Sequence, residues 1–469
     1  MKINKRLRYW GGITLGLMAS GVGLMAMCDS AHAQGADEVQ LIARGHYLAT
    51  AGDCIACHSA MHGKPFAGGL ALATPLGAII STNITPSKTS GIGNYTYEQF
   101  SEAVRKGVRA DGANLYPAMP YTSYGQISDD DMKALYAYFM KGVEPVDESP
   151  AKTDLPFPFS IRASMMFWNM LFLDKKPFVA DPSKSAEWNR GAYLVRGLAH
   201  CSTCHSPRNI LMAEDMSREL SGGQVGTWVA PNITPDANSG VGAWSTEDLV
   251  SYMRTGHVVG KAQAAGPMAE AVDNSLKHLS DDDLKAMAVY LKSIPSIRNA
   301  ADAHPADSFG KPQAIDENVR GTPWPEDKNK LSGAQLYDGY CASCHQAKGE
   351  GSKDGGLPSL FHNTALGHDN TDNLVNVMLE GVKHKEDAPD MLMPGFAEML
   401  SDQQIATLGN YVLQQYGNPD AKVTVEQVQT LRSGGKQSNL VVLARAGMAG
   451  GVIIVLALIM LVLRRKRRQ

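Results

Sequence analysis

Three copies of one pentapeptide run through this chain: Cys54-Ile-Ala-Cys57-His58, Cys201-Ser-Thr-Cys204-His205 and Cys341-Ala-Ser-Cys344-His345. Cys-x-x-Cys-His is the attachment signal for c-type haem. The two thiols add across the haem vinyl groups, and the adjacent histidine is delivered to one face of the iron. The motif therefore implies a redox cofactor, a stoichiometry of three covalently bound haems and an export route, before any other residue is read. A zinc site would need four ligands in a closed shell, often two Cys-x-x-Cys pairs close together, whereas these pairs stand 147 and 140 residues apart. A thioredoxin-like motif needs no histidine and would not recur three times. Six of the seven cysteines belong to the motifs and Cys28 lies in the expected leader, so none is left in the mature chain for a disulfide.

Length points the same way: 469 residues exceed one ordinary core and suggest about three domains. The formal charge of -3 hides a split between basic ends and an acidic body. Lys2, Lys5, Arg6 and Arg8 open the chain, and Arg464, Arg465, Lys466, Arg467 and Arg468 close it. Taking those nine cations and Asp29 away from 44 basic and 47 acidic residues leaves a body of about -11. Nucleic acid is not expected as a partner, because its binding needs a basic face.

The start reads as a secretory signal over residues 1–33: cationic, then apolar from Tyr9 to Met27, then small residues at Ala31-His32-Ala33 before cleavage. Lipidation at Cys28 is the alternative, disfavoured because Met27 stands where a small residue belongs. At the other end Ala446 to Leu463 is an unbroken apolar run of 18 residues, about 27 Å as a helix. With Val441 to Ala444 added and Arg445 free to snorkel, residues 441–463 meet the minimum for a bilayer span. The basic tail 464–469 should stay cytoplasmic, leaving the body on the periplasmic side of the cytoplasmic membrane.

Each motif opens a similar unit. Arg44-Gly45-His46-Tyr47-Leu48 and Arg190-Gly191-Ala192-Tyr193-Leu194 lead into the first two, and both continue to Asn-Ile-Thr-Pro at Asn83–Pro86 and Asn232–Pro235. Those triplets also match a glycosylation acceptor, but their place in the repeat favours a turn beside the haem. All three units close with a helix that serine can cap, at Ser128, Ser280 and Ser401. Tyr138, Tyr290 and Tyr411 share a register in those helices and suggest one packing contact used three times. The expected layout is domain 1 at 34–145, a Pro-rich and apolar connection at 146–188, domain 2 at 189–295, a linker at 296–330, domain 3 at 331–417 and a second linker at 418–440. Ile161 to Leu173, inside the first connection, is too short to span a bilayer. It reads either as a helix packed between domains or as a surface that dips into the membrane or grips a partner.

The sixth ligand decides the chemistry, since a His/Met iron is saturated and carries electrons, whereas an open position invites peroxide or oxygen chemistry. Methionine is by default core filler, so position must choose among 22. Met119, Met268 and Met393 each stand beside a proline just upstream of a capped helix, and with His58, His205 and His345 they are the expected iron ligands. Met391 and Met399 remain rivals to Met393. Arg105 and Arg254 occupy matching helix ends and are candidates for pairing with haem propionates. Unit three has Leu379 there, while Lys383 matches Arg109, so the third haem would differ electrostatically. The competing reading of both arginines is a solvated cation at a helix C-terminus.

With these residues the chain resembles the three-haem cytochrome c subunits of bacterial membrane-bound dehydrogenases, of the gluconate, sorbitol and fructose type, and more distantly the alcohol and aldehyde dehydrogenases. The resemblance covers nearly all of the mature chain. It rests on Ser81-Thr-Asn-Ile-Thr-Pro86, Gly91-Ile-Gly-Asn-Tyr95, Tyr116-Pro-Ala-Met-Pro-Tyr121, Trp188-Asn-Arg-Gly191, and Leu155-Pro-Phe-Pro-Phe-Ser-Ile-Arg-Ala-Ser164. It implies a mostly α fold of three tandem class I cytochrome c-like domains plus one C-terminal transmembrane helix, and haem-ligand roles for the matched Cys, His and Met residues. It further implies a large flavoprotein partner that carries FAD, a small subunit, and ubiquinone as acceptor. This chain itself shows no flavin or nicotinamide fingerprint and is not expected to be catalytic. The other readings are a quinoprotein alcohol or aldehyde dehydrogenase subunit, a haem peroxidase, whose resting iron would be high-spin, and a free electron shuttle with no fixed partner.

Overall fold

The computed structural model describes residues 37–315, 319–353, 356–382, 393–436 and 438–468. The leader, Cys28, Lys383 and Met391 lie outside the described residues. The regular structure of the described chain is mostly α-helical, with four small antiparallel strand pairs, of which Ala71–Thr74 with Gly77–Ile80 is the longest.

The same three-part pattern recurs. A lead-in helix runs into each Cys-x-x-Cys-His turn: residues 37–51, Ala186–Tyr193 and Gly333–Tyr340. A closing helix packs across it: Asp129–Ala137, Asp281–Leu291 and Asp402–Tyr416. Ser128, Ser280 and Ser401 cap the closing helices as expected, each accepting from the amide three residues on. Glycine sets how closely the two helices approach. A Cβ on Gly45 would lie 2.0 Å from the Ala134 carbonyl oxygen and 2.6 Å from Tyr138 Cβ. On Gly191 it would lie 1.9 Å from the Ala286 oxygen and 2.9 Å from Tyr290 Cβ, and on Gly333 2.4 Å from Tyr411 Cβ. The shared tyrosine register is thus one helix crossing built three times, with glycine as the hole and tyrosine as the knob.

The first two units do not have separate cores. One continuous cluster of buried side chains runs from Leu48 to Leu291 and includes Phe100, Met132, Leu194, Leu198, Leu284 and Met287. A second cluster, from Ile315 to Leu431, belongs to the third unit. The stretches read as linkers contribute to that second core. Ile315 is buried and its amide bonds the Ala347 carbonyl. Residues 418–440 carry the helix Val425–Arg432, whose Val428 and Leu431 are buried against the closing helix. Their polar composition concealed this, because few apolar side chains in each do the packing.

Candidate haem-binding sites

Each Cys-x-x-Cys-His segment forms a short helical turn: Cys54–His58, Ser202–His205 and Ala342–His345. The residue before the first cysteine turns the chain through the left-handed region at Asp53 (φ 49°) and His200 (φ 37°), which ends the lead-in helix and re-aims the motif. In every unit the histidine Nδ1 meets a backbone carbonyl. His58 bonds the Thr82 oxygen at 2.7 Å, His205 the Pro231 oxygen at 2.7 Å and His345 the Pro358 oxygen at 3.0 Å. A carbonyl accepts only, so Nδ1 carries the proton and Nε2 presents its lone pair, the tautomer and orientation a metal-bound imidazole needs. Burial lowers the pKa of all three histidines against the raising effect of that hydrogen bond, which favours the neutral form.

The carbonyls are held as firmly as the rings. In unit one Asn83 accepts from the amide and hydroxyl of Thr85 at 2.8 and 2.7 Å, and its own amide donates to the Val146 and Glu148 carbonyls. Asn232 repeats this with Thr234 and the Ile297 carbonyl. Asn83 is buried, so the Asn-Ile-Thr-Pro segment is a turn beside the histidine and unsuited to a bulky glycan.

The surroundings of five of the six motif cysteines work against thiolate chemistry. They form no disulfide. Burial pushes Cys54, Cys57, Cys201 and Cys341 up to about 12, far from the range of a zinc-binding or exchanging thiolate, and raises Cys204 as well. Cys344 is exposed. Among the described residues no group of three His, Cys, Asp or Glu side chains could hold a metal ion. Two thiols and an oriented neutral imidazole, repeated three times, fit haem c as the donor set.

Met119 and Met268 are both partly buried against the same core as Cys54 and Cys201. Met268 lies in the first turn of the helix Gly266–Asn274, which packs against the Cys54–His58 turn of the other unit. Met393 pairs with Val382 where two two-residue strands run antiparallel, and packs partly buried against the second core. Its described rival Met399 is exposed, as is Met61, while Met253 is a buried helix residue.

Arg105 and Arg254 do match in position, and both have protein partners among the described residues, while the buried Nε of Arg105 has none. Arg105 bonds Asp129 at 2.7 Å and the Ile127 carbonyl at 2.7 Å, and Arg254 bonds Asp281 and the Lys277 carbonyl, each at 2.5 Å. Each ties a preceding helix, Tyr97–Lys106 or Thr246–Thr255, to the start of the closing helix. These bonds give both arginines a role within the fold itself. Leu379 is buried at the corresponding place in unit three.

The first two sites also abut. Beyond burial and Asp53, the groups that raise the Cys57 thiol are Glu270 and Cys204 of the second unit. Tyr124 donates to the Gly52 carbonyl at 2.6 Å and stacks edge-on against His200, with ring centroids 5.6 Å apart. Reading the sequence in order could not find these contacts, which join residues far apart in the chain.

A sequence model of the cytochrome c family matches residues 189–295 and 331–415. The chain is 47% identical to the fructose dehydrogenase cytochrome subunit of Gluconobacter japonicus, over 91% of this chain and 92% of that protein. It is 42% identical to the gluconate 2-dehydrogenase cytochrome c subunit of Pantoea cypripedii, covering 89% and 94%. The cytochrome c subunit of the quinone alcohol dehydrogenase of Gluconobacter oxydans is 39% identical over 89% and 87%. With its oriented histidines and paired thiols, the chain belongs to the family of cytochrome c subunits of dehydrogenase complexes, electron-transfer chains that bind haem c covalently.

Proposed function

We propose that this chain is the membrane-anchored, three-haem electron carrier of a flavin-dependent dehydrogenase of sugars, sugar acids or polyols, delivering electrons to ubiquinone. The observation that supports it best is the threefold Nδ1-to-carbonyl bond at His58, His205 and His345. Haem c, held through Cys54 and Cys57, Cys201 and Cys204, and Cys341 and Cys344, supplies a one-electron couple at each station. His58 with Met119, His205 with Met268 and His345 with Met393 would hold the irons on both sides and leave no position for peroxide or an organic substrate. Thioether ligation and burial suit a raised potential. Oxidation of the organic substrate then falls to a large flavoprotein partner bearing FAD, with a small subunit beside it.

Similarity favours the sugar side of the family, at 47% and 42% against 39% for the quinone alcohol dehydrogenase relative. The 27-residue helix Leu440–Lys466 has a mean hydropathy of 2.7 over its most apolar window, none of it buried. It is about 40 Å long, enough to cross the cytoplasmic membrane. With residues 1–33 as an export signal and Arg464 to Arg468 inside, the three domains stand in the periplasm. Purification of the intact assembly, followed by identification of its chains and a sugar and polyol screen with a ubiquinone acceptor, tests this. Co-purification of a flavoprotein and substrate-dependent quinone reduction are expected. A cytochrome that extracts alone, or an assembly that reduces no quinone, would remove the proposal.

A further inference from the structure

The helix Ser164–Phe172 is anchored on one side only. Asn169, its one buried residue, accepts from the Tyr121 hydroxyl at 2.8 Å and donates to the Lys106 carbonyl at 3.3 Å. Tyr116 donates to the Phe159 carbonyl at 2.8 Å, and Arg162 lies 4.4 Å over the Tyr116 ring. These bonds seat the helix on the Tyr116–Tyr121 segment that carries Met119. Among the described residues its outer face has no such partners: Phe167 and Met170 are 71% and 72% exposed, and Met166 and Leu171 are exposed beside them. Trp168 Nε1 donates to the Leu211 carbonyl at 2.9 Å, which brings the tip Ile210-Leu211 of the second domain, Ile210 91% exposed, into the same apolar surface. A patch of this kind on an otherwise acidic body marks an interaction site.

What covers it follows from the edge of the patch. Arg445 Nε donates to the Phe157 carbonyl at 2.9 Å, and Phe157 is itself exposed. Arg445 immediately precedes the apolar run Ala446 to Leu463, so it stands where that helix would leave the headgroups. The patch therefore lies level with the membrane surface, and the exposed Lys175 and Lys176 follow its helix in the chain, next to the exposed Asp174. We propose that Phe157, Phe167, Met170 and Ile210 form a second, monotopic membrane contact. The outer leaflet is its occupant, and it presses the Met119 side of the first domain against the bilayer. The inference rests on the reading of Leu440–Lys466 as a membrane span.

The test uses the full-length haem-loaded chain in vesicles of phosphatidylethanolamine and phosphatidylglycerol. A nitroxide is placed through Met170→Cys, Ile454→Cys or Glu98→Cys, and collisions with oxygen are compared with those of a water-soluble nickel chelate. The label at 170 should favour oxygen, as at 454, while the label at 98 favours nickel. If 454 favours oxygen and 170 favours nickel, the second contact is wrong and the anchor stands. If 454 also favours nickel, the anchor reading fails as well. A label at 170 that favours nickel in the chain alone and becomes shielded from both reagents in the purified dehydrogenase assembly would give the patch to a protein partner and overturn the proposal.

Discussion

Tyr47 donates its phenolic hydrogen to Oδ2 of Asp283 at 2.6 Å, joining the lead-in helix of the first unit to the closing helix of the second. Tyr193 returns the bond to Oδ2 of Asp131, also at 2.6 Å. Arg44 and Arg190 hold the same two carboxylates within their own units, and the Ser128 and Ser280 amides donate back to the two tyrosines. The arrangement is reciprocal, residue for residue, as in an isologous dimer, here within one chain. It fixes the relative position of two haem sites whose cysteines already sense each other, which is what a relay of fixed spacing needs.

Breaking this latch should cost stability. Asp283→Asn leaves Arg190 without its charge partner and should destabilise the first two units by about 2 kcal/mol, less than a fully buried pair because about a third of Arg190 is exposed. Tyr47→Phe should cost about 1 kcal/mol. Burial alone would raise the Asp283 pKa, but hydrogen bonds from Arg190 and Tyr47 outweigh it and hold the group below the ordinary carboxylate range. Its contribution is therefore complete above the unfolded value near pH 4 and is lost as pH falls through the lower folded value. Denaturant titrations from pH 7 downward should show the difference between wild type and Asp283→Asn shrinking only in acid. A constant difference would contradict it.

Gly191→Ala puts a Cβ 1.9 Å from the Ala286 oxygen and should separate the helices, at a cost of about 3 kcal/mol. Thermal unfolding followed in the Soret band should report it. Gly226→Ala, where a Cβ meets nothing within 4 Å, controls for the loss of glycine itself, although its φ of 60° carries a small strain of its own.

Substituting the sixth ligands tests the site assignment. Met119→Leu, Met268→Leu and Met393→Leu should each convert one haem of the three to a high-spin ferric spectrum while all three remain attached. A variant with unchanged spectra would move the ligand elsewhere, for Met393 most directly to Met391.

Arg105→Leu should act through the fold. Its bonds to Asp129 and the Ile127 carbonyl predict a loss of about 1–3 kcal/mol with haem midpoint potentials little changed. A marked fall in one midpoint without loss of stability would give Arg105 to a haem propionate instead.

The pentapeptides were legible because thiols and imidazole sit within five residues and their spacing is dictated by the porphyrin. Serine caps and the Gly45 and Tyr138 register were legible because they recur. The acceptors of the three histidines were not, since Thr82, Pro231 and Pro358 act through backbone oxygens 24, 26 and 13 residues away, where the side-chain type says nothing. Asn-Ile-Thr-Pro pointed to the turn in two units, and unit three reaches the same carbonyl without it. Sequence places Arg105 at a helix end and no more, because its partner Asp129 comes within reach only through the packing of the closing helix. The Tyr47 to Asp283 bond spans 236 residues and leaves no periodic trace. Apolarity in Ile161 to Leu173 was plain, but composition could not say that its outer face would stay uncovered.

The most direct measurement is the haem content of the denatured, full-length mature chain, by pyridine haemochrome and intact mass. Three covalently retained haems per polypeptide are expected, falling to two in Cys201→Ala/Cys204→Ala. A chain that releases its haem on denaturation, or that retains fewer than three, would contradict the assignment of an electron carrier with three stations.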